Sequence, residues 1–244
     1  MPDGTARAPS PFEDASVVET YEDWYATAFG RYADRREREL LDELLSPLLP
    51  DARLLEVGCG TAHFAHALTR APRRVFGVEP SERMARVGAT RVPLVRGAAE
   101  RLPFADASFD AVYLVAVLDF VDDPVRALAE ASRVARERVA VVALASSSWL
   151  ALRRRVAAKR GHPIFSRARF WSRDDLRGFV RAAGGEPERE RAALWLPPAL
   201  APRFGALDGW LCARAAGLAG LWACSFRPRY SGSGRPSSGT RAHG

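Results

Sequence analysis

Short apolar runs alternate with helix-length segments between residues 53 and 144, and no other feature of the chain restricts its fold so strongly. The runs are RLLEV at 53–57, RVFGV at 74–78, VPLV at 92–95, DAVYLVAV at 110–117 and RVAVVAL at 138–144. A strand that is apolar on both faces needs cover on both, which crossover helices supply and simple hairpins do not. The intervening segments read as helices over 61–70, 81–88 and 123–136. The pattern therefore predicts an α/β chain doubly wound around a mostly parallel sheet, with the runs at 190–196 and 218–226 completing it.

The flanks follow from the same reading. A helix from about Arg35 to Leu49 puts Leu41, Leu44, Leu45 and Leu48 on one stripe, and Pro50-Asp51 ends it. Later, Ser172 caps a helix reaching Ala183, with Asp175 three positions on and Gly184-Gly185 as its stop. The expected organisation is a flexible N-terminus over 1–16, an N-terminal lid and helix over 17–50, and one domain over 51–230. That domain divides into a ligand-binding core at 53–144 and a substrate or cap region at 145–217. Residues 231–244, rich in Gly, Ser and Pro, read as a disordered tail.

Charge enters the argument as a partner that must be excluded. A net charge of +7 and a pI near 10.0 would suit a nucleic-acid or anionic-membrane protein. Yet only Lys159 is a lysine among 36 basic residues, and the arginines are scattered, several of them (Arg227, Arg229, Arg235, Arg241) near the C-terminal end. No nucleic acid is expected as partner. Cys59, Cys212 and Cys224 lack metal-ligand spacing, and their odd number without an apolar leader predicts reduced thiols in a cytoplasmic protein, with no metal site. The stretch Ala206 to Phe226 carries Asp208 and Arg214 and is interrupted by Gly209, Gly217 and Gly220, so it reads as a helix and a core strand, not an integral membrane span.

The first strand runs directly into Glu56-Val57-Gly58-Cys59-Gly60-Thr61-Ala62 and a helix. Glycines there let the backbone approach a ligand, and the carboxyl ends of parallel strands are where such sheets bind. Glu79 closes the second strand, where an acidic side chain can accept both hydrogen bonds of a ribose diol. A third element, Ala98-Ala99-Glu100-Arg101-Leu102-Pro103-Phe104, follows the third strand at the same end of the sheet.

In that order, LLEVGCGTAHF, VFGVEPSERM and GAAERLPFADASFDAV resemble the motifs of the UbiE-like, type 11 group of class I methyltransferases, over roughly residues 53 to 144. The resemblance implies a Rossmann-like, mostly parallel sheet of seven strands and S-adenosyl-L-methionine as cofactor. It implies that Gly58 and Gly60, with Cys59 and Thr61 in the same turn, wrap the methionine portion while Glu56 reaches its ammonium. Glu79 would take the ribose hydroxyls beside Pro80, Ala99 and Glu100 would border the adenine, and Met84 would pack on its ring. Three departures stand out: Ala62 replaces the usual third glycine, which requires negative φ there; Ala98 replaces the acidic residue often facing the adenine amine; and Ala135-Arg136-Glu137-Arg138 replaces a Pro-Gly-Gly turn.

The acceptor side is written less clearly. Methyl transfer depends mostly on positioning, and a base is needed only when the acceptor loses a proton. Asp119, just past the fourth strand, is the best-placed carboxylate and His162 the second candidate, with helix capping and a plain loop role as their alternatives. Leu114-Val115-Ala116-Val117 stands where amino-methylating nucleic-acid enzymes carry a Pro-Pro motif, so a small-molecule acceptor is expected. The aromatics Tyr21, Trp24, Tyr25, Phe29 and Tyr32 predict a lid over the cofactor end, with Tyr21 or Arg31 reaching the cofactor's carboxylate; ordinary core packing is the competing reading. A non-catalytic cofactor-binding relative is the alternative function.

Overall fold

A computed structural model describes residues 10–69 and 72–228. The expected tail from Ser231 and the first nine residues lie outside them. The elements run α1 (Ala15–Thr20), α2 (Asp23–Ala26), α3 (Ala28–Leu45), β1 (Arg53–Val57), α4 (His63–Leu68), β2 (Arg74–Glu79), α5 (Glu82–Gly88), β3 (Leu94–Arg96) and β4 (Phe109–Val115). They continue with α6 (Pro124–Val134), β5 (Ala135–Leu144), α7 (Trp149–Lys159), α8 (Arg173–Ala182), β6 (Pro187–Ala193), α9 (Gly205–Arg214) and β7 (Leu221–Phe226).

The strands form one seven-stranded sheet in the order β3-β2-β1-β4-β5-β7-β6, parallel except where β7 runs antiparallel between β5 and β6. Successive side chains on a strand point to opposite faces, so each central strand supplies two cores. Leu54, Tyr113, Ala140 and Val142 pack with Leu40, Leu41, Leu44 and Leu45 of α3. Their neighbours Leu55, Val112, Val139 and Val141 pack with Ala127, Leu128, Ala131 and Val134 of α6. That is why these runs are apolar without interruption.

Several boundaries differ from the sequence expectation for local reasons. Helix α3 starts at Ala28, with the Thr27 hydroxyl accepting from Gly30 N at 2.9 Å, and it stops at Leu45 because Ser46 precedes Pro47 and takes an extended conformation. Gly30 is required inside it, since a Cβ there would lie 1.9 Å from the Trp24 carbonyl oxygen. Tyr32, expected in a lid, is core: it is buried and its hydroxyl donates to the buried Asp208 at 2.8 Å. Residues 135–137, expected as the end of a helix reaching 136 and its link to a strand from 138, are the start of β5, so α6 runs directly into its strand. The last two runs shift to Pro187–Ala193 and Leu221–Phe226.

Ser10 to Ser16, assigned above to a flexible end, form a 3-10 turn at Pro11–Glu13 and the start of α1, where the Asp14 carboxylate accepts from Ser16 N at 2.9 Å. Among the described residues no helix is long and apolar enough to cross a membrane, and the stretch from Ala206 becomes α9 and β7.

Candidate cofactor and acceptor site

Beyond Val57 the chain turns sharply back over β2. Gly58 and Cys59 donate to the Val78 carbonyl at 2.8 and 3.1 Å, and Gly60 N donates to Glu79 Oε2 at 2.8 Å. Gly58, Gly60 and Ala62 are all left-handed, with φ of +65°, +54° and +60°. The negative φ expected at Ala62 is therefore wrong. Because the turn places every second residue in the left-handed region, Ala62 must act as the N-cap of α4 and bear about 1–2 kcal/mol of strain. The two glycines serve different ends. A Cβ on Gly58 would lie 2.7 Å from Val117, whereas one on Gly60 would meet nothing within 4 Å, so Gly60 fronts open space.

Two buried carboxylates stand on the strands beside this turn, Glu56 in β1 and Glu79 at the end of β2. Glu79 accepts from Gly60 N with one oxygen and from Ser81 N, at 2.9 Å, with the other; burial raises its pKa despite both bonds. Glu56, only 2% exposed, accepts from the Tyr113 hydroxyl at 3.3 Å and is pushed up to about 8 by burial. A carboxylate so placed gains strongly from a cation beside it. Ser81 caps α5 and Met84 is buried beneath it; Pro80 follows Glu79 directly, its carbonyl accepting from Arg96 at 3.0 Å. Ala99 is buried, and the Glu100 carboxylate accepts from Asp122 N at 3.0 Å, tying its loop to the one after β4. The Cys59 thiol, against Gly77, is pushed far up by burial and by Glu56 and Glu79, so it is no nucleophile.

The N-terminal segment lies across this end. The Ser81 hydroxyl donates to the Phe12 carbonyl at 2.7 Å, and the Phe12 ring meets Phe120 and Tyr21 at centroid distances of 5.1 and 6.2 Å. Glu22 accepts from the Thr61 hydroxyl at 2.6 Å and holds Arg91 through both oxygens. Tyr25 stacks on His63 at 3.8 Å, and His63 pairs with Asp34 at 2.8 Å. Tyr21 is half-buried, and desolvation pushes its phenol up to about 12, with Glu37, Glu56 and Glu79 adding to the rise. Arg31 is exposed and donates to the Ala26 carbonyl, so it faces its own segment and not the glycine turn.

Neither sequence candidate for the acceptor side is a free group. Asp119 is fully buried, with both oxygens accepting from Leu144 N at 3.1 and 3.3 Å and its carbonyl accepting from Arg169 N at 2.8 Å; burial pushes it up to about 7. It fastens the ends of β4 and β5 together, while Asp123 caps α6. His162 Nδ1 accepts from Ile164 N and Phe165 N at 3.3 and 3.5 Å, closing its own loop.

Sequence reasoning missed two other residues. Glu37 of α3 is 9% exposed with no hydrogen-bond partner among the described residues, and burial pushes it up to about 8 against the pull of Arg154. Arg154 of α7 is buried, donates to the Gly220 carbonyl at 3.1 Å and is pushed down to about 10 by burial, with Asp119 and Glu37 opposing that fall. Both sit in arginine-rich helical stretches where nothing in the sequence separates them from solvent-facing neighbours.

Residues 55–143 match the family model described as a methyltransferase domain, and the matched span holds the whole turn, both carboxylates, β2 to β4 and most of β1 and β5. That span is a methyltransferase domain of the class I, S-adenosylmethionine-dependent kind. A solved S-adenosylmethionine-dependent methyltransferase of Thermotoga maritima, described as a possible histamine N-methyltransferase, is 28% identical with a TM-score of 0.69, and the match covers 90% of this chain and 98% of that one. A demethylmenaquinone methyltransferase of Renibacterium salmoninarum is 37% identical over 105 residues, 42% of this chain and 44% of the relative. A protein of Methanocaldococcus jannaschii described only as uncharacterized is 32% identical over 115 residues, 46% of this chain and 54% of the relative. The chain thus spans about half the length of these two curated relatives. The turn suits the cofactor of this methyltransferase family on its own geometry, since Gly60 leaves room for it and Glu56 offers a carboxylate to a cation.

Proposed function

We propose that this protein binds S-adenosylmethionine against the β1–α4 turn and transfers its methyl group to a small molecule held under the N-terminal segment. The observation that carries the reading is the open space at Gly60, with the locked Glu79 and the buried Glu56 on the strands beside the turn. When bound, the cofactor supplies an electrophilic methyl on a sulfonium.

The chain's own part is positioning. Gly58, Cys59, Gly60 and Thr61 present backbone to the methionine portion, and Glu56 meets its ammonium. Each Glu79 oxygen holds one backbone amide and keeps a lone pair for a ribose hydroxyl. Pro80, Met84, Ala99 and Glu100 shape the adenine side, with Ala99 offering backbone where Ala98 offers no carboxylate. The Tyr21 phenol lies within electrostatic reach of Glu56, Glu79 and Glu37, and the aromatic segment excludes water from the reacting atoms. Asp119 and His162 act as positioning residues for the β4–β5 ends and the 162–165 loop. For an acceptor that loses a proton on methylation, Glu37 is the uncommitted carboxylate, and a base whose pKa lies near the working pH is the effective one. The three buried, unpaired cysteines favour the reducing cytoplasm as its compartment.

Calorimetry with S-adenosylhomocysteine and with NAD tests the cofactor assignment; tight NAD binding with no response to the former would sink it. Radiolabelled methyl transfer into small-molecule fractions of a host lysate then tests the acceptor class. Label appearing only in nucleic acid or protein would overturn the small-molecule reading.

A further inference from the structure

The segment 145–172 carries seven cations, Arg153, Arg154, Arg155, Lys159, Arg160, Arg167 and Arg169, and no Asp or Glu at all. Its helix α7 is organised in an unusual way. Leu150, Ala151 and Arg154 turn inward, and they alone are buried. At about 100° per residue, Trp149, Leu152 and Val156 fall into one outward stripe, 63%, 52% and 40% exposed. Arg153 and Arg160 border that stripe on one side, Arg155 and Lys159 on the other, all four exposed. The helix therefore has an apolar line at the centre of its solvent face, not at its edge.

An ordinary surface helix puts its apolar stripe toward the core and its charges outward. Here the core needs only Leu150, Ala151 and Arg154, so nothing in the packing explains a tryptophan, a leucine and a valine facing water between rows of cations. That arrangement matches what an interfacial helix requires: apolar side chains to enter the acyl boundary and flanking cations to meet headgroup phosphates. Phosphates alone, as on a nucleic acid, would recruit the cations but leave the apolar centre without a partner.

We propose that the outward face of α7 docks on an anionic lipid surface, with Trp149, Leu152 and Val156 entering the headgroup boundary and Arg153, Lys159 and Arg160 neutralising lipid phosphates. The helix begins just past the C-terminal end of β5, at the same end of the sheet as the glycine turn, and its inward Arg154 lies near Glu37 and Asp119. Docking by this face sets the acceptor side against the membrane and leaves the rest of the chain in water. The proposal does not depend on the identity of the methyl acceptor.

Cosedimentation of the full chain with phosphatidylcholine vesicles, with and without phosphatidylglycerol, is the test. The unaltered protein partitions onto the anionic vesicles only, and high salt releases it. Combined Arg153→Gln, Lys159→Gln and Arg160→Gln changes lower partition roughly a hundred-fold, at about five-fold per cation. Trp149→Gln with Leu152→Gln lowers it roughly ten-fold or more although charge is unchanged. Both variants keep S-adenosylhomocysteine binding and thermal stability, because the altered side chains are exposed. No partition of the unaltered chain onto anionic vesicles overturns the proposal. So does partition that ignores both variants, or an apolar variant that binds as well as the unaltered protein. A parallel titration with duplex DNA decides the remaining rival: α7 changes that weaken DNA binding and spare vesicle binding would make nucleic acid the occupant and refute the lipid assignment.

Discussion

The proposed cofactor end and the proposed acceptor side of this protein lie at the same end of one sheet, yet they are built from different materials. At the cofactor end the chain works mainly through backbone: three left-handed residues in a five-residue turn, two amides held by Val78 and one by Glu79. The proposed acceptor side would draw on side chains from distant segments, Tyr21 and Tyr25 before the sheet, Glu37 on α3 and Arg154 on α7. A backbone device tolerates few substitutions and leaves a short local signature. A side-chain assembly can be rebuilt for another ligand without disturbing the turn, which is how one fold serves many acceptors.

The contrast is broken most sharply at Gly60. Gly60→Val should remove cofactor binding by roughly a hundred-fold or more, since the side chain enters the open space and the left-handed φ adds about 1–2 kcal/mol of strain. Calorimetry with S-adenosylhomocysteine on a variant shown to be folded measures it, and unchanged affinity would mean the ligand lies elsewhere. Glu79→Ala comes next, with an expected loss of about 1–3 kcal/mol in binding, the scale of hydrogen bonds to a charged group. Part of that loss reflects the released Gly60 and Ser81 amides, so Glu79→Gln, which keeps acceptors on one side, should lose less.

Glu37 sharpens the comparison from the other side. Its folded pKa of about 8 lies above its ordinary 4.5, so the native state favours the protonated form. The stability it contributes is complete below 4.5 and is lost as pH rises through about 8. Glu37→Gln should therefore gain stability relative to the unaltered protein across that window, by about 1 kcal/mol or more, and then hold constant. Cofactor affinity should not change. Denaturant unfolding at several pH values reads the effect, and a flat difference would show that Glu37 reaches water or a partner when ionised.

Ala62→Gly should have the smallest effect. Relief of the left-handed strain favours glycine, while its greater freedom in the unfolded chain and the loss of a buried methyl oppose it, leaving a gain of about 0.5 kcal/mol or less. A loss of several-fold in cofactor affinity would instead assign the Ala62 methyl a place in the site.

What could be read beforehand follows the same division. The alternation of runs predicted the sheet, because strands feeding two cores cannot hide their composition. Helix α3 begins a full two turns earlier than expected, and Gly30 belongs to it because the Trp24 carbonyl leaves no room there for a Cβ. Asp119 looked like a candidate base from its position after β4, yet its oxygens are spent on Leu144 N. Ala62 looked incompatible with a left-handed turn and occupies one. The apolar line on α7 depends on which face the helix buries, and that is decided by its packing, not by the residues next to Trp149, Leu152 and Val156.

The sequence by itself determined the doubly wound sheet, the order of its motifs and the glycine turn, because each depends on residues close together in the chain and on rules of period and sterics. Only tertiary structure decided which carboxylate is free, which phenol is buried and which face of α7 meets solvent. Those properties depend on desolvation and on partners many residues away, and burial changes the chemistry of a glutamate without changing any letter around it.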